Sequence, residues 1–452
     1  MEKLFEEFSA KTLHEWTNKI ISDLKLKDFN TLTWDSSENI NISPIYNHES
    51  IKNINRERVF NHSNWEIEQS LKHPSNAEIL KCLNAGASAL LLKDIPANEI
   101  ETVLENVLIQ YIQTSIQSKS IETNIEAFIS LIEKRGILKK DVKGSFYYDP
   151  LMEGLKQGAF KNNLWEEFKS IQEKANILQS FKSLTIQGIE YNNAGASCTQ
   201  ELAFTIAQLS EYFVNNKSLD PNKIQISLGI SSNYFFEIAK LRSIRLLWSQ
   251  ILSTYKKEEV TLNLRAETSL RTSTIFDPYI NILRNTSQCM SAALGGANII
   301  NVNNYNAAFK KDDDFAQRIA RNISLILKEE SWLNKVSDAS SGSYYIEYVT
   351  NKLSLNAWKL FQEIEGTGGW IKAVKSNFIQ DKIEENVAKE EQSLNSKTKY
   401  LLGTNLFTNS DEKMSSQIEL PILKNTINGK DFKALHSNRL SSTMDIERLK
   451  NE

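Results

Sequence analysis

Apolar and β-branched residues gather in short runs that recur along the chain from residue 86 onward, at 86–92, 107–114, 142–147, 184–188, 224–230, 260–266, 298–303 and 343–347. Between most of them the spacing changes to that of helices, as in Leu202, Ala203, Ile206, Leu209 and Phe213, or Phe315, Ile319, Ile323, Ile326 and Leu327. Parallel strands need long crossovers, and helices supply them, so this alternation predicts an α/β chain built on a parallel sheet. Eight strand–helix units predict a (β/α)8 TIM barrel. A doubly wound open sheet is the alternative, because the pattern does not show whether the edges meet.

Ahead of this region, Thr12 and Glu15 stand at the spacing of a capping box, and Leu13, Trp16, Ile20, Ile21 and Leu24 share one helical face. Leu32 and Trp34, then the alternating Ile40, Ile42, Pro44 and Tyr46, read as extended. Residues 1–55 therefore form a helical and extended N-terminal arm. Its apolar residues, Trp16, Leu24 and Trp34 among them, need a surface to lie on. The chain's own body and a partner subunit fit the pattern equally. The barrel is expected over 56–380. From 381 to 452 the chain turns charged, with scattered Ile418, Leu420, Ile422 and Leu423, and reads as a linker or a surface belt rather than a second globular domain.

Charge removes some classes of function. Lys and Arg total 53 against 56 for Asp and Glu, and a net charge of −3 gives no reason to expect nucleic acid or an anionic membrane as partner. No apolar run approaches the ~20 residues that span a bilayer. The first residues carry Glu2, Glu6 and Glu7 where a presequence would be basic. Cys82, Cys198 and Cys289 are odd in number and far apart, so neither a disulfide framework nor a zinc site is expected, and a reducing cytoplasm is. Asp312, Asp313 and Asp314 lack the glycine and terminal glutamate of a calcium loop. No histidine occurs between Pro74 and Leu435, which takes away the side chain that most often moves protons near neutral pH.

Several fragments then fall into one order. Asp277-Pro-Tyr279-Ile-Asn281, Arg284-Asn-Thr286, Gly295-Gly296, the stretch from Asp314 through Arg318 and Arg321 to Asn322, and Gly342-Ser-Tyr-Tyr345 together resemble the cobalamin-dependent methylmalonyl-CoA mutase family. Ala194-Gly-Ala196, Glu201-Leu-Ala203, Phe236 to Arg242, Leu246-Leu-Trp248, Glu363 to Gly369 and Gly403 to Phe407 extend the likeness, and Trp16, Asp23-Leu-Lys25 and Leu32-Thr-Trp34 are similar to the family's arm. The resemblance implies a barrel that receives a coenzyme A ester, homolysis of a cobalt–carbon bond, and a radical shift between methylmalonyl-CoA and succinyl-CoA.

The same comparison shows where the chemistry is missing. The family's carbonyl-polarising histidine falls at Glu267, and an ionised carboxylate accepts hydrogen bonds but donates none. The family's Tyr-His-Met-Gln run becomes Ile189-Glu190-Tyr191-Asn192, its Gly-His-Thr-Gln-Ser-Leu-His run becomes Gly295 to Asn301 with Asn298 inside it, and a family glutamine becomes Ser324. A substrate-binding Arg-Gly-x-Tyr segment has no counterpart in 55–64. Glu267, Glu190, Asn192, Asn298 and Ser324 are thus degenerate positions, and no catalytic, cofactor or metal residue is expected. Phe146, Tyr147 and Tyr148 are candidates to fill the bore that the substrate would thread. The Asp-x-His-x-x-Gly signature of a cobalamin domain does not occur, and His436 in the polar tail reads as a bystander.

The resemblance therefore implies a small, non-catalytic subunit that binds no cofactor itself and pairs as a heterodimer with a large subunit holding adenosylcobalamin. Two other readings are open: an acyl-CoA mutase barrel whose cobalamin domain lies on a separate chain, and a homodimeric assembly or regulatory factor.

Overall fold

In the computed structural model the described residues are 9, 11–54, 59–422 and 429–452. Leu423 and Asn55 to Arg58 lie outside them. Among the described residues eleven strands follow in chain order: β1 (Trp34–Asp35), β2 (Asn41–Ile42), β3 (Glu66–Lys72), β4 (Ala89–Lys93), β5 (Gln113–Gln117), β6 (Gly144–Ser145), β7 (Phe181–Lys182), β8 (Leu184–Gln187), β9 (Ile224–Ile230), β10 (Asn263–Thr268) and β11 (Ile299–Asn301). Seven of them form one curled parallel sheet in the order β5-β4-β3-β11-β10-β9-β8, flanked by helices. The sheet's first strand in sequence, β3, lies beside its last, β11. A separate parallel pair, β6 and β7, is reached from β5 through isolated bridges at Gln113↔Lys143 and Ile116↔Phe146. On its other side, Phe146 N donates to Lys182 O at 2.8 Å and Thr185 N donates to Tyr148 O at 3.1 Å.

Two expectations from the pattern change. Residues 343–347 are not a strand but the start of helix Tyr344–Gly366. Their β-branched and aromatic character is local, whereas Ile346, Val349, Leu353, Ala357, Phe361 and Ile364 continue at helical spacing and are all buried, so packing overrides propensity. The eighth run is instead β3, where Ile67 and Leu71 alternate with Glu66, Glu68 and Ser70. The run 107–114 is mostly turn, and its strand begins only at Gln113.

The largest core lies between the apolar face of the sheet, Ile186, Ile226, Leu228, Leu264, Ala266 and Ile300, and the helices Cys198–Asn215, Tyr234–Thr254 and Tyr344–Gly366. Two charged clusters are sealed within it. Lys240 Nζ donates to Glu201 Oε2 and to Gly229 O, each at 2.6 Å, and lies 2.6 Å from Glu237 Oε2, with all three side chains fully buried. Arg242 pairs with Asp338 and, at 2.8 Å, with Glu347. These ion pairs join three helices and the end of β9 where apolar contact alone would fix no register.

The arm is docked in one half and exposed in the other. Ile40, Ile42 and Ile51 are buried against the body, and the Glu38 carboxylate accepts from Ser197 Oγ, Cys198 N and Thr199 N at 2.7–2.9 Å. A carboxylate at the amino end of helix Cys198–Asn215 satisfies donors that the helix cannot pair internally. Helix Leu13–Leu24 has the capping box of Thr12 and Glu15, yet each of its residues is at least partly exposed. Trp16 is 41 %, Leu24 58 % and Trp34 51 % exposed, although Trp34 meets the edge of Phe236. None of the helices searched is long and apolar enough to cross a membrane, a search confined to the described residues.

Lys240→Ala leaves two carboxylates in the core with no counter-charge. Breaking a buried pair in this way costs about 3–5 kcal/mol, so urea unfolding of the variant should show a midpoint far below that of the parent.

Candidate functional site

Strand alternation divides β9 and β10 into two faces. Ile226, Leu228, Leu264 and Ala266 enter the core, which leaves Gln225, Ser227, Asn263, Arg265 and Glu267 on the opposite, polar face. That face is filled by hydrogen-bonded side chains. In one layer, Ser145 Oγ donates to Gln225 Oε1 at 3.1 Å and lies 2.9 Å from Ser115 Oγ, and Gln225 Nε2 donates to Asn263 Oδ1 at 2.7 Å. In the next layer stands Arg265, 1 % exposed. Its Nε donates to Glu68 Oε1 at 2.7 Å and its Nη1 to Ser227 Oγ at 3.0 Å. Nη2 lies 2.5 Å from Glu68 and 2.8 Å from Glu267. The Tyr147 ring lies under the guanidinium at 5.3 Å, and its hydroxyl donates to Ser227 Oγ at 2.8 Å. Of the three aromatic residues considered for this space, only Tyr147 enters it. Phe146 packs on Phe128 and Phe181, and Tyr148 on Phe168.

The five degenerate positions do not form one site. Glu267 lies near the carboxyl end of β10, level with Asn301 and Gly229 on the neighbouring strands. Burial raises its pKa, but Arg265 and Lys93 beside it and a hydrogen bond from Asn303 outweigh that and hold the carboxyl below its ordinary value. It is ionised at neutral pH. Asn192 lies on the far side of Gly229, where a Cβ would come 2.6 Å from its amide carbon, so glycine is required for the close approach. Its Nδ2 donates to Glu201 Oε2 at 3.1 Å, and its buried Oδ1 has no hydrogen-bond partner among the described residues. Glu190 is occupied by Lys156 at 2.8 Å. Asn298 is at the opposite, amino end of β11, where Oδ1 accepts from Leu264 N at 2.9 Å. Ser324, on the outer helix Asp314–Leu325, accepts from Trp65 Nε1 at 2.9 Å. Asn298 and Ser324 are therefore framework groups, and Glu267 and Asn192 alone flank one strand end.

The family pattern described as methylmalonyl-CoA mutase matches residues 94–448. The chain belongs to the methylmalonyl-CoA mutase family. Over its full length it is 31 % identical to the methylmalonyl-CoA mutase small subunit of Porphyromonas gingivalis, 78 % of which it covers. It is 31 % identical to the small subunit of Streptomyces virginiae over 63 % of this chain and 47 % of that one, and 32 % identical to the methylmalonyl-CoA mutase of Rhizobium meliloti over 64 % and 42 %. The chain thus spans less than half the length of some relatives and most of another, and its sequence is of the small-subunit type.

Within that family the arrangement around Arg265 is what motif reading missed. Glu68 and Ser227 come from two different strands and Tyr147 from the segment after β6, and no sequence spacing joins them to Arg265. A signal existed: an arginine between Leu264 and Ala266 in a β-run must enter the sheet's other face and bring counter-charges with it.

Because its folded pKa is depressed, Glu267 contributes stability that is fully present above its ordinary value of 4.5 and is lost as pH falls through the lower folded value. The difference in unfolding free energy between the parent and Glu267→Gln should therefore be constant at neutral pH and shrink only below that value, as read from urea titrations across pH.

Proposed function

We propose that this chain is the small, non-catalytic subunit of an adenosylcobalamin-dependent methylmalonyl-CoA mutase, supporting a large subunit that interconverts methylmalonyl-CoA and succinyl-CoA. One observation carries the reading: the polar face of the sheet, along which the resemblance would thread a coenzyme A ester, is filled by Arg265, Glu68, Tyr147 and Ser227. Small-subunit relatives in two organisms support it. The bridges from β5 to β6, and the hydrogen bonds from there to β7 and β8, favour closure as a (β/α)8 barrel. Residues 1–55 would then be the arm, 56–380 the barrel and 381–452 the tail.

The residues at the strand ends do not suit the family's carbonyl chemistry. Glu267, kept ionised beside Arg265, cannot donate to a thioester oxygen, and Glu190 is taken up by Lys156. Homolysis of a cobalt–carbon bond is what adenosylcobalamin supplies when bound, and in this reading it is bound on the large subunit. What this chain offers is surface. The apolar stripe of helix Leu13–Leu24, with Trp16, Leu24 and the half-exposed Trp34, fits a homologous large subunit, and without that partner it fits a second copy of this chain. In this reading the protein is cytoplasmic and heterodimeric.

Reconstitution tests the whole reading. The mixture of this chain and a large subunit with adenosylcobalamin should convert methylmalonyl-CoA, and this chain alone should not. Turnover by this chain alone would overturn the assignment. A second experiment addresses the arm: removing residues 1–50 should move the two chains to separate peaks on a sizing column, and unchanged co-elution would count against the arm as the contact.

A further inference from the structure

The loops that follow the strands of a parallel sheet gather at its carboxyl end, and cavities formed there are the usual ligand sites of α/β folds. This chain has such a cavity, of about 800 Å³. Its wall comes from the connections after β8, β10 and β11, from one stripe of helix Phe378–Asn395, and from residues between 434 and 443. Ala194, Ala307 and Ala308 leave space that larger side chains would fill, and Ile383, Val387 and Leu435 make much of the rest apolar.

The wall is tied together from within. Asn438 N donates to Asn193 O and Leu440 N to Arg271 O, each at 2.8 Å. Leu435 belongs to the main core, and Arg439 is paired with the buried Asp445 at 2.7 Å. The cavity is therefore bounded by segments already fixed before any ligand arrives.

Its polar groups restrict what it can hold. Gln380 is 3 % exposed, and its Nε2 donates to Val374 O at 3.1 Å and to Lys433 O at 2.9 Å. Those two bonds set the amide's orientation and leave Oε1 with no partner among the described residues. Asn193 Oδ1 and Arg439 Nη2, on two other wall residues, are also buried without a hydrogen bond there. Orphaned polar atoms destabilise a fold until something pairs with them, and here three belong to the wall of one cavity. Two of the three accept, so a ligand gains most by bringing a donor. The charges are spent, by contrast. Arg271 is held by Glu390 at 2.7 Å, Arg439 by Asp445, and Glu384 by Lys433 at 2.8 Å. Both guanidiniums of the wall are neutralised and Glu391 adds a carboxylate, an arrangement that disfavours an anion.

We propose that this cavity is a binding site for an uncharged, largely apolar small molecule that carries a hydrogen-bond donor. The proposal goes beyond the subunit reading and does not depend on it, because every residue of the site belongs to this chain. Three dyes of one skeleton test it by fluorescence titration of the full chain. N-phenyl-1-naphthylamine, neutral and with one N–H, should bind saturably at one molecule per chain. Its N-methyl derivative, which lacks the donor, should bind about fivefold more weakly. The 8-sulfonate, which adds a negative charge, should bind about tenfold more weakly. Ala307→Trp, which fills the space, should weaken binding of the neutral dye about tenfold while keeping the parent's urea midpoint. Should that variant fail to fold, Ala388→Phe on the exposed side of helix Phe378–Asn395 should give the same loss. Absence of saturable binding, equal affinity for the sulfonate or the N-methyl compound, or affinity undiminished in a folded, filled variant would overturn the proposal.

Discussion

A guanidinium enclosed within a sheet dictates what its neighbours are. Arg265 cannot shed its charge, and taking an ion from water costs several kcal/mol that only close counter-charges and filled donor positions return. Two carboxylates, a serine hydroxyl and an aromatic face meet that demand, from β3, β9, β10 and the turn after β6. Because they come from strands distant in sequence, the cluster fixes the relation of the sheet's parts to one another. It also holds Glu267 in its ionised form and sets the Tyr147 ring against the guanidinium. One electrostatic requirement thus accounts for both the linkage among these strands and a Glu267 that accepts hydrogen bonds but donates none.

The surface follows the opposite logic. The buried charges of Lys240, Arg242 and Arg265 are paired, whereas apolar residues on the arm are left open to water. Glu38 anchors the second half of the arm on the helix end at Ser197, so the exposed helix before it springs from a fixed point rather than from a loose terminus. An apolar stripe presented from a fixed point loses less freedom on docking, which favours a stable contact over a transient one.

Much of the architecture was legible because it rests on local periodicity. The parallel strands and the buried faces of the long helices follow from spacings of two and of three to four residues. The strand assigned to 343–347 failed because local β-propensity and the longer helical repeat disagreed, and the longer repeat buries more surface. β3 was missed as a strand because its polar residues serve an interior that is itself polar, so Glu66, Glu68 and Ser70 looked like surface. At the candidate site, the loss of histidine was visible one position at a time. What replaced it was not, since Arg265, Glu68 and Tyr147 are joined only in space. Asn298 and Ser324 were grouped with Glu267 by likeness of motif, and the fold separates them because one precedes its strand and the other lies on an outer helix.

Groups poised for a ligand are unsatisfied until it arrives, and such sites cost a protein stability. Here the equivalent positions have found partners inside the chain: Glu190 with Lys156, Glu267 with Arg265, and the strand-end loops with residues 429–445. Each pairing removes a demand for an external ligand and adds an internal contact. A chain released from binding substrate would drift toward such self-satisfied contacts, because every one of them stabilises the fold and none impairs a task it no longer performs. The exposed stripe on helix Leu13–Leu24 departs from this trend, and the proposed subunit contact would cover it.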